Sequence, residues 1–330
     1  MALTSGKKKK TIGEFERIAR WTKRLKTGKD LVLGVGDDAA LFAPPKGMQL
    51  AATCDLLVED VHFRHTTIPA TDLGYKSLAV SLSDLAAMGA KPWMALLSLA
   101  IPKSMDANYV DDFYKGLRRL ADRSGCLIAG GDTTGSMGPM LIDIFLLGLL
   151  PTGKALRRDG ARVGDSLWVC GSLGLSRAGL EILENKLPPS PVLVKAHRRP
   201  TAHLTAGSAL LNSGRCTSCI DVSDGLLGDL AHLAERSGVG FEIERGALPI
   251  PAILKYFAKN QGKNPLDYVL HGGEDYALLF TLRGDAPPTS WPENAPHPVK
   301  IGRVLPKGFF FLDKDGRRSA FNPKGFDHFA

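Results

Sequence analysis

Apolar segments of strand length alternate with amphipathic segments of helix length along this chain, and the alternation lapses once, between Pro151 and Gly164. Such alternation is typical of mixed folds in which helices cover a sheet. Because 330 residues exceed the usual size of one hydrophobic core, we expect the lapse to separate two α+β halves. The sequence therefore predicts a basic tail over 1–11, an N-terminal domain over 12–152 and a C-terminal domain over 153–330.

The periodic segments predict the individual elements. In the first half, helices are predicted over 13–25, 71–88 and 107–124, and strands over 31–35, 48–53, 93–101, 127–129 and 140–148. In the second half, strands are predicted over 166–170 and 217–222, helices over 176–183 and 202–212, and a further helix after Gly225. The segment 130–132 is predicted to be a turn, and the segment near 188–191 is polar and rich in proline.

The formal net charge of +8 would suit nucleic acid, an anionic membrane or an anionic small substrate. Much of the excess lies in the lysine run 7–10, which precedes any periodic pattern and contains no aromatic side chains. We interpret this run as a solvated terminal extension rather than a nucleic-acid arm. The longest apolar stretch, 140–150, is interrupted by Asp143 and is too short to span a bilayer. We therefore expect neither nucleic acid nor a membrane as a partner.

The 5 cysteines are scattered through the chain, unlike the dense, even frameworks of small secreted domains. This usage predicts reduced thiols and a cytoplasmic location. Cys216 and Cys219 form a CxxC pair without a second pair or matching histidines. They are interpreted as ordinary core thiols, with zinc binding or redox chemistry as the alternative.

Aspartates recur beside glycine or at predicted strand ends. They are Asp37 and Asp38 after Gly36, Asp55, Asp84, Asp132 after Gly131, and Asp221 and Asp224 before Gly225. Magnesium bound to phosphates takes one or two carboxylates per ion, with water and phosphate oxygens completing its shell, so several clusters would suit several ions. Each cluster alone could equally cap a helix or form a turn. Asp84 resists that reading, because it lies in the middle of an apolar helix where an unpaired carboxylate is costly.

Common nucleotide-binding signatures are absent from the sequence. The chain contains no GxxxxGK[ST] phosphate loop, no GxGxxG between a strand and a helix, and no HRD or DFG set. Phosphoryl transfer by this chain would therefore use another scaffold.

Other short motifs occur in order along almost the whole chain. They are GEF at 13–15, GVGDDAA at 34–40, DLLV at 55–58, HF at 62–63, SDLAAMGA at 83–90, GGDTT at 130–134, GD at 164–165, DVSDGL at 221–226, GGEDY at 272–276 and GFDHF at 325–329. Each motif is weak alone, but their order and spacing are specific. On these motifs, residues 12–329 resemble the thiamine-monophosphate kinase family of the aminoimidazole-ribonucleotide-synthetase-like superfamily.

This resemblance implies a two-domain AIR synthase-like (PurM-like) fold of the α+β class. In that fold the N-terminal domain binds ATP and metal, and its sheet joins that of a second copy in a dimeric barrel. The C-terminal domain is an α/β sandwich. The resemblance therefore implies a homodimer.

The resemblance also implies roles for individual residues. Magnesium is expected at Asp37, Thr53, Cys54, Asp55, Asp84, Asp132, Asp221 and Asp224, with Asp37, Asp84, Asp132 and Asp221 catalytic. ATP is expected to contact Gly131, Asp132, Arg158, Ser223 and Tyr114, and thiamine monophosphate to contact His62, Glu274 and Phe326. A cysteine thiol is too soft for magnesium, so Cys54 could offer only its backbone carbonyl. Phe326 stands where some relatives have tryptophan.

The implied reaction is direct, in-line, magnesium-assisted transfer of the γ-phosphoryl group of ATP to thiamine monophosphate, giving thiamine diphosphate. Several magnesium ions would serve as cofactors and ATP as co-substrate. Two alternatives remain at this level: another ATP-using enzyme of the superfamily, and a non-catalytic nucleotide or thiamine-phosphate sensor. Selenophosphate synthetase normally carries an N-terminal reactive Cys or selenocysteine, and no cysteine precedes Cys54 here.

Overall fold

A computed structural model of the chain describes residues 20–26, 28–33 and 40–323. The predicted opening helix over 13–25 is described only from residue 20, where residues 20–22 are helical. The lysine run 7–10, Asp37, Asp38 and Phe326 lie outside the described residues.

The first half is built on a four-stranded sheet with strand order β3-β6-β4-β5. Its strands are β3 (Met48–Val58), β4 (Lys91–Pro102), β5 (Leu127–Ser136) and β6 (Leu141–Pro151), and a separate ladder joins β1 (Leu31–Leu33) to β2 (Leu41–Phe42). Strands β4 and β5 are parallel and the other pairs of the large sheet are antiparallel. Helix α1 (Ala70–Met88) follows β3, and helix α2 (Ala107–Ser124) connects the parallel pair.

Both helices pack on one face of this sheet. Leu97, Ile142 and Ile144 point from the strands into a core that also contains Leu78 of α1 and Leu117 of α2. The opposite face carries the alternate residues of the strands, among which Leu56 is 52% exposed and Phe145 is 38% exposed. This second face, together with the open edges of β3 and β5, leaves apolar side chains in solvent.

The second half is built on a seven-stranded sheet with strand order β13-β12-β9-β11-β7-β10-β8. Its strands are β7 (Ser166–Cys170), β8 (Cys216–Asp221), β9 (Gly240–Glu244), β10 (Leu278–Leu282), β11 (Val299–Leu305), β12 (Phe309–Leu312) and β13 (Arg318–Ala320). Its helices are α3 (Leu175–Glu184), α4 (Pro191–Arg198), α5 (Leu204–Ser213), α6 (Leu226–Ser237), α7 (Ala252–Asn260) and α8 (Pro265–His271), with a 3₁₀ turn over Arg245–Ala247. The architecture confirms the predicted α+β class. No helix among the described residues has the length and apolarity needed to cross a membrane.

Helix α1 also contacts the second half, and this contact positions the candidate site. Ala86 and Ala87 share a buried cluster with Trp168, Leu210 and Phe280 of the second half. Helix α5 can approach this closely because Gly207 has no side chain; a Cβ there would lie 2.0 Å from the carbonyl oxygen of Ala86. The close approach holds the C-terminal turns of α1 against the second half.

Helices α1 and α2 and strand β7 lie within a residue of their predicted limits, but two predictions were wrong and one helix was missed. Asp55 does not follow a strand end, because β3 continues to Val58 in register with β6. The predicted turn at 130–132 lies inside β5, where Gly131 has a φ of 154° and a Cβ would lie 1.8 Å from the Leu97 carbonyl. Helix α4 was not predicted, although Pro191 occupies a first-turn position that suits proline.

The packing of α5 on α1 generates a stability prediction. We expect Gly207→Ala to lower the free energy of unfolding by about 1–3 kcal/mol, because the added methyl group must displace the α1 backbone. Urea denaturation followed by circular dichroism measures the change. Gly138→Ala is the matched control, since a Cβ at that position meets nothing within 4 Å; equal stability of the two variants would contradict the close approach.

Candidate functional site

Carboxylates from three different elements meet where α1 faces the two sheets. Asp84 lies near the end of α1, Asp55 lies on β3, and Asp221 ends β8. The hydroxyl group of Thr53 on β3 donates a hydrogen bond to Asp84. The hydroxyl group of Ser83 donates one to Asp221 Oδ2 over 2.7 Å. Two adjacent residues of α1 thus contact the two sheets, Asp84 the first and Ser83 the second.

Burial and mutual repulsion disfavour ionisation of these acids. Burial and the charge of Asp84 raise the pKa of Asp55 to about 6. The same two causes raise the pKa of Asp221 to about 7. Burial also raises the pKa of Asp84 itself, although the hydrogen bond from Thr53 and the charge of Arg158 oppose the change. The neighbouring cations therefore do not offset the cost of ionising these acids.

A fourth acid, Asp229, lies behind this group in the first turn of α6. It accepts a hydrogen bond from the backbone N–H of Asp224 at 3.1 Å and is almost completely buried. Burial, Asp221 and Asp224 raise its pKa to about 8. Asp229 fixes the loop that carries Asp224 and was not among the predicted site residues.

A first cavity of about 690 Å³ opens on one side of the acids. Thr53 and Asp84 form part of its wall, and Arg157, Arg158 and Arg236 supply cations. Arg157 is paired with Asp159, at 2.6 Å between Nη2 and Oδ2. The first cavity therefore combines guanidinium groups with a carboxylate, as a site for a phosphate chain and a bridging cation requires.

A second cavity, of about 1040 Å³, also reaches these acids. Its lining includes Asp55, His62, Ser223, Asp224 and Glu274, so it brings together predicted acceptor and metal residues. The Val58 N–H donates to His62 Nδ1 over 3.0 Å, so a neutral His62 carries its proton on Nε2. Ser223, predicted to contact ATP, faces this second cavity.

Glu274 on the wall of the second cavity is held by two partners that the sequence analysis missed. Its Oε1 lies 2.7 Å from Nζ of Lys76, and its Oε2 lies 3.4 Å from Nδ1 of His197. Lys76 lies on α1 at a buried position. The signal that singled out Asp84, a charge on an otherwise apolar helix, applied equally to Lys76.

Other predicted residues lie apart from this group. Tyr114 is a core residue, 5% exposed and stacked on Trp21 at 5.8 Å between ring centroids. Because Trp21 covers its ring, the position of Tyr114 does not support the predicted contact with ATP.

Asp132 lies away from the acids around Asp84, and the Cys54 side chain points to the other face of β3. Asp132 is exposed on β5, the edge strand opposite β3 in the four-stranded sheet. Cys54 is exposed on β3 and its thiol donates to Asp143 Oδ1 over 3.0 Å. That hydrogen bond, with burial and nearby acids, raises the pKa of Cys54 to about 11, which keeps it a thiol.

The acids fit magnesium only if other oxygen atoms complete its shell. Across 20–26, 28–33 and 40–323, no three Asp, Glu, His or Cys side chains converge closely enough to hold an ion by themselves. Asp55 Oδ2 is nevertheless buried with no hydrogen bond of normal geometry among these residues, although the nearby Ser81 hydroxyl opposes the rise in the Asp55 pKa. A weakly partnered carboxylate oxygen among mutually repelling acids is suited to a hard cation that brings water and phosphate oxygens.

Comparisons with known proteins give a consistent result. Residues 36–150 match AIR synthase related protein, N-terminal domain, and residues 162–286 match AIR synthase related protein, C-terminal domain. The thiamine-monophosphate kinase of Salmonella typhimurium is 38% identical over 331 residues, covering 96% of this chain and 98% of the relative. That of Aquifex aeolicus is 38% identical over 326 residues, covering 97% and 99%. The solved structure of AaThiL complexed with AMPPCP and TMP has a TM-score of 0.77 at 37% identity, covering 98% of this chain and 99% of that one.

The buried acids predict a pH-dependent effect of removing one charge. The folded protein keeps a proton on Asp221 up to about pH 7, whereas the unfolded chain loses it near 3.8. Ionisation of Asp221 therefore destabilises the fold as pH rises through this window. Without divalent cations, we expect Asp221→Asn to gain stability relative to wild type by roughly 1–4 kcal/mol between pH 5 and pH 8.

Urea denaturation in the presence of a chelator at the two pH values measures this difference. Asp60→Asn is the control, because the Asp60 side chain is 78% exposed. Added magnesium should stabilise wild type more than Asp221→Asn at pH 8. If the difference in stability between wild type and Asp221→Asn does not depend on pH, the raised pKa of Asp221 is contradicted.

Proposed function

Since this chain belongs to the thiamine-monophosphate kinase family of phosphotransferases, built from the two AIR synthase related domains, we propose that it phosphorylates thiamine monophosphate with ATP. The observation that carries the proposal is a pair of cavities that reach one group of acids, with Asp84 in the wall of the first and Asp55 in the wall of the second. A phosphoryl donor in the first cavity and an acceptor in the second would meet at Asp55, Asp84 and Asp221. The AaThiL complex with AMPPCP and TMP supports the same pairing of ligands.

We assign the triphosphate of ATP to the first cavity. Arg158 lines it beside Asp84, and a guanidinium group can donate two parallel hydrogen bonds to a phosphate. Ser223, on the wall of the second cavity, would contact the end of the triphosphate that lies nearest the acceptor. Gly131 and Asp132 remain proposed contacts, although they lie on the far strand of the sheet.

We assign thiamine monophosphate to the second cavity. His62 would donate a hydrogen bond from Nε2, and Glu274 would offer a carboxylate oxygen. Phe326, outside the described residues, is proposed to cover the aromatic part of this substrate.

Magnesium would be held by Asp55, Asp84, Asp221 and Asp224, with Asp37, Asp132, Thr53 and the Cys54 carbonyl as further proposed ligands. When bound, the ions would neutralise the phosphates of both substrates and stabilise the charge on the transferring group. The chain itself orients the two substrates, and the hydrogen bonds from Thr53 and Ser83 fix the directions of Asp84 and Asp221. The acceptor phosphate is already ionised at neutral pH, so in-line transfer needs no dedicated general base.

A cytoplasmic location is proposed with this function. All five cysteines, Cys54, Cys126, Cys170, Cys216 and Cys219, are free. Free thiols suit a reducing compartment, where ATP is also available.

The first experiment is formation of thiamine diphosphate from thiamine monophosphate, ATP and magnesium by the purified protein. We expect Asp84→Asn to reduce turnover by roughly 10²-fold or more, because it removes a charge from the centre of the site. Asp112→Asn, an exposed change on α2, is the control. Near-normal turnover by a folded Asp84→Asn variant would contradict the assignment, and binding of both ligands without product would favour the sensor.

The position of Asp132 is explained if the active site is shared between two copies. Asp132 and Asp55 lie on opposite edge strands of one sheet, so Asp132 of the same chain cannot join the acids around Asp84. We propose a homodimer in which the open edges and the exposed apolar face, including Leu56 and Phe145, pack against a second copy. Asp132 of each chain would then serve the site of the other.

Mixing two inactive variants tests this arrangement. Asp84→Asn and Asp132→Asn homodimers should each be inactive, whereas refolded mixtures should recover about a quarter of wild-type activity, because half the dimers are mixed and each has one intact site. A mixture of Asp84→Asn with Asp221→Asn is the control, since both changes affect the same chain's acids. No recovery in the first mixture would place Asp132 in its own chain's site or outside any site.

A further inference from the structure

The acceptor cavity contains a buried ion pair with one partner from each half of the protein. Lys76 on α1 is 1% exposed, and its Nζ has no partner other than Glu274 among the described residues. A fully buried ammonium group is rare and is destabilising unless an acid compensates it. Glu274 lies on the wall of the cavity with 29% of its side chain exposed, so the pair connects the interior of α1 to the acceptor cavity.

The backbone of Glu274 leaves its carboxylate little freedom. Its φ is 62°, a left-handed value that non-glycine residues seldom adopt. Its N–H donates to the Ser223 carbonyl over 2.8 Å, and the Tyr276 N–H donates to the Val222 carbonyl over 2.8 Å. The segment that carries Glu274 is therefore attached to the segment that carries Ser223 and Asp224. Strained backbone that is held in this way is typical of functional sites.

The second oxygen of Glu274 faces His197, which contributes no positive charge at neutral pH. Burial, and then the charge of Lys76, lower the pKa of His197 to about 3, and its Nδ1 lies 3.2 Å from the Ser176 hydroxyl oxygen. Burial alone would raise the pKa of Glu274, but the neighbouring Lys76 ammonium group lowers it below its usual value. Lys76 is thus the cation that keeps Glu274 ionised and directed at the cavity.

We propose that Lys76 is a positioning residue of the acceptor site, which fixes the Glu274 carboxylate and compensates its charge so that the cavity presents a hydrogen-bond acceptor rather than a net negative charge. This inference rests on the proposed function, because Glu274 is assigned there to the acceptor. The competing role for the pair is purely structural, as a connection between α1 and the second half. The two roles predict different results once Glu274 has lost its charge. A positioning residue then has little further effect on acceptor binding.

A double-mutant cycle separates the two roles. The variants are Lys76→Met, Glu274→Gln and the double variant, with Ser77→Ala as the control for changing a neighbouring buried polar residue of α1. We expect Lys76→Met to raise KM for thiamine monophosphate at least about tenfold while KM for ATP changes less than about twofold. In the Glu274→Gln background, Lys76→Met should raise the acceptor KM less than about threefold further, because Lys76 acts through Glu274.

An unchanged acceptor KM in Lys76→Met, or an equal rise in both backgrounds, would overturn the proposal. If Lys76→Met does not fold, because it leaves a buried carboxylate without a cation, the double variant removes both charges and is compared directly with Glu274→Gln. A similar acceptor KM in these two supports the positioning role, and a large further rise overturns it. Wild type is assayed first: failure to form thiamine diphosphate would overturn the proposed function and with it the acceptor role of Lys76, whereas normal wild-type activity with an unchanged acceptor KM in Lys76→Met would overturn the role of Lys76 alone.

Discussion

Burial of negative charge beside helix α1 is the constraint on which the arrangement of this protein depends. Asp84, Asp55 and Asp221 come from three elements. Burial disfavours the ionisation of each, and the charge of Asp84 further disfavours that of Asp55 and Asp221. Such a group destabilises the interface that contains it, so other contacts must hold the two halves together. The apolar cluster around Ala86 and Phe280 and the close approach at Gly207 supply them. Under the proposed function, this unfavourable charge would bind cations, which would in turn bind phosphates.

Helix α1 connects the two cavities because its faces meet different partners. Asp84 lines the first cavity, Val80 lines the second, and Lys76 holds Glu274 on the wall of the second. Under the proposed function, one rigid helix would therefore fix the distance between the donor and acceptor sites, which matters because the reacting phosphate groups repel each other. Under the proposed function, this arrangement would allow phosphoryl transfer without a glycine-rich phosphate loop. Side chains on a buried helix and on strands would take the place of such a loop.

Those parts of the fold that depend on local periodicity could be predicted from the sequence. Helices α1 and α2 have long amphipathic patterns and left-handed glycine caps at Gly89 and Gly125, and the structure confirms both. Strand ends could not be predicted in the same way, because Asp55 and Asp132 lie in strands whose polar positions are set by pairing with β6 and β4. Tyr114 shows the corresponding limit for side chains, since only the packing of Trp21 reveals that its ring is covered.

In the candidate site, too, local motifs could be predicted from the sequence and long-range contacts could not. Acids in short motifs were visible in the sequence, and the structure brings Asp55, Asp84 and Asp221 together. Lys76 and His197 were missed because their importance arises from Glu274, which is distant in sequence and approaches only when the halves pack. A lysine in an apolar helix implies a buried acid partner, because an unpaired ammonium group would not remain there. The sequence could therefore predict that Lys76 has an acidic partner, but only the structure identifies that partner as Glu274.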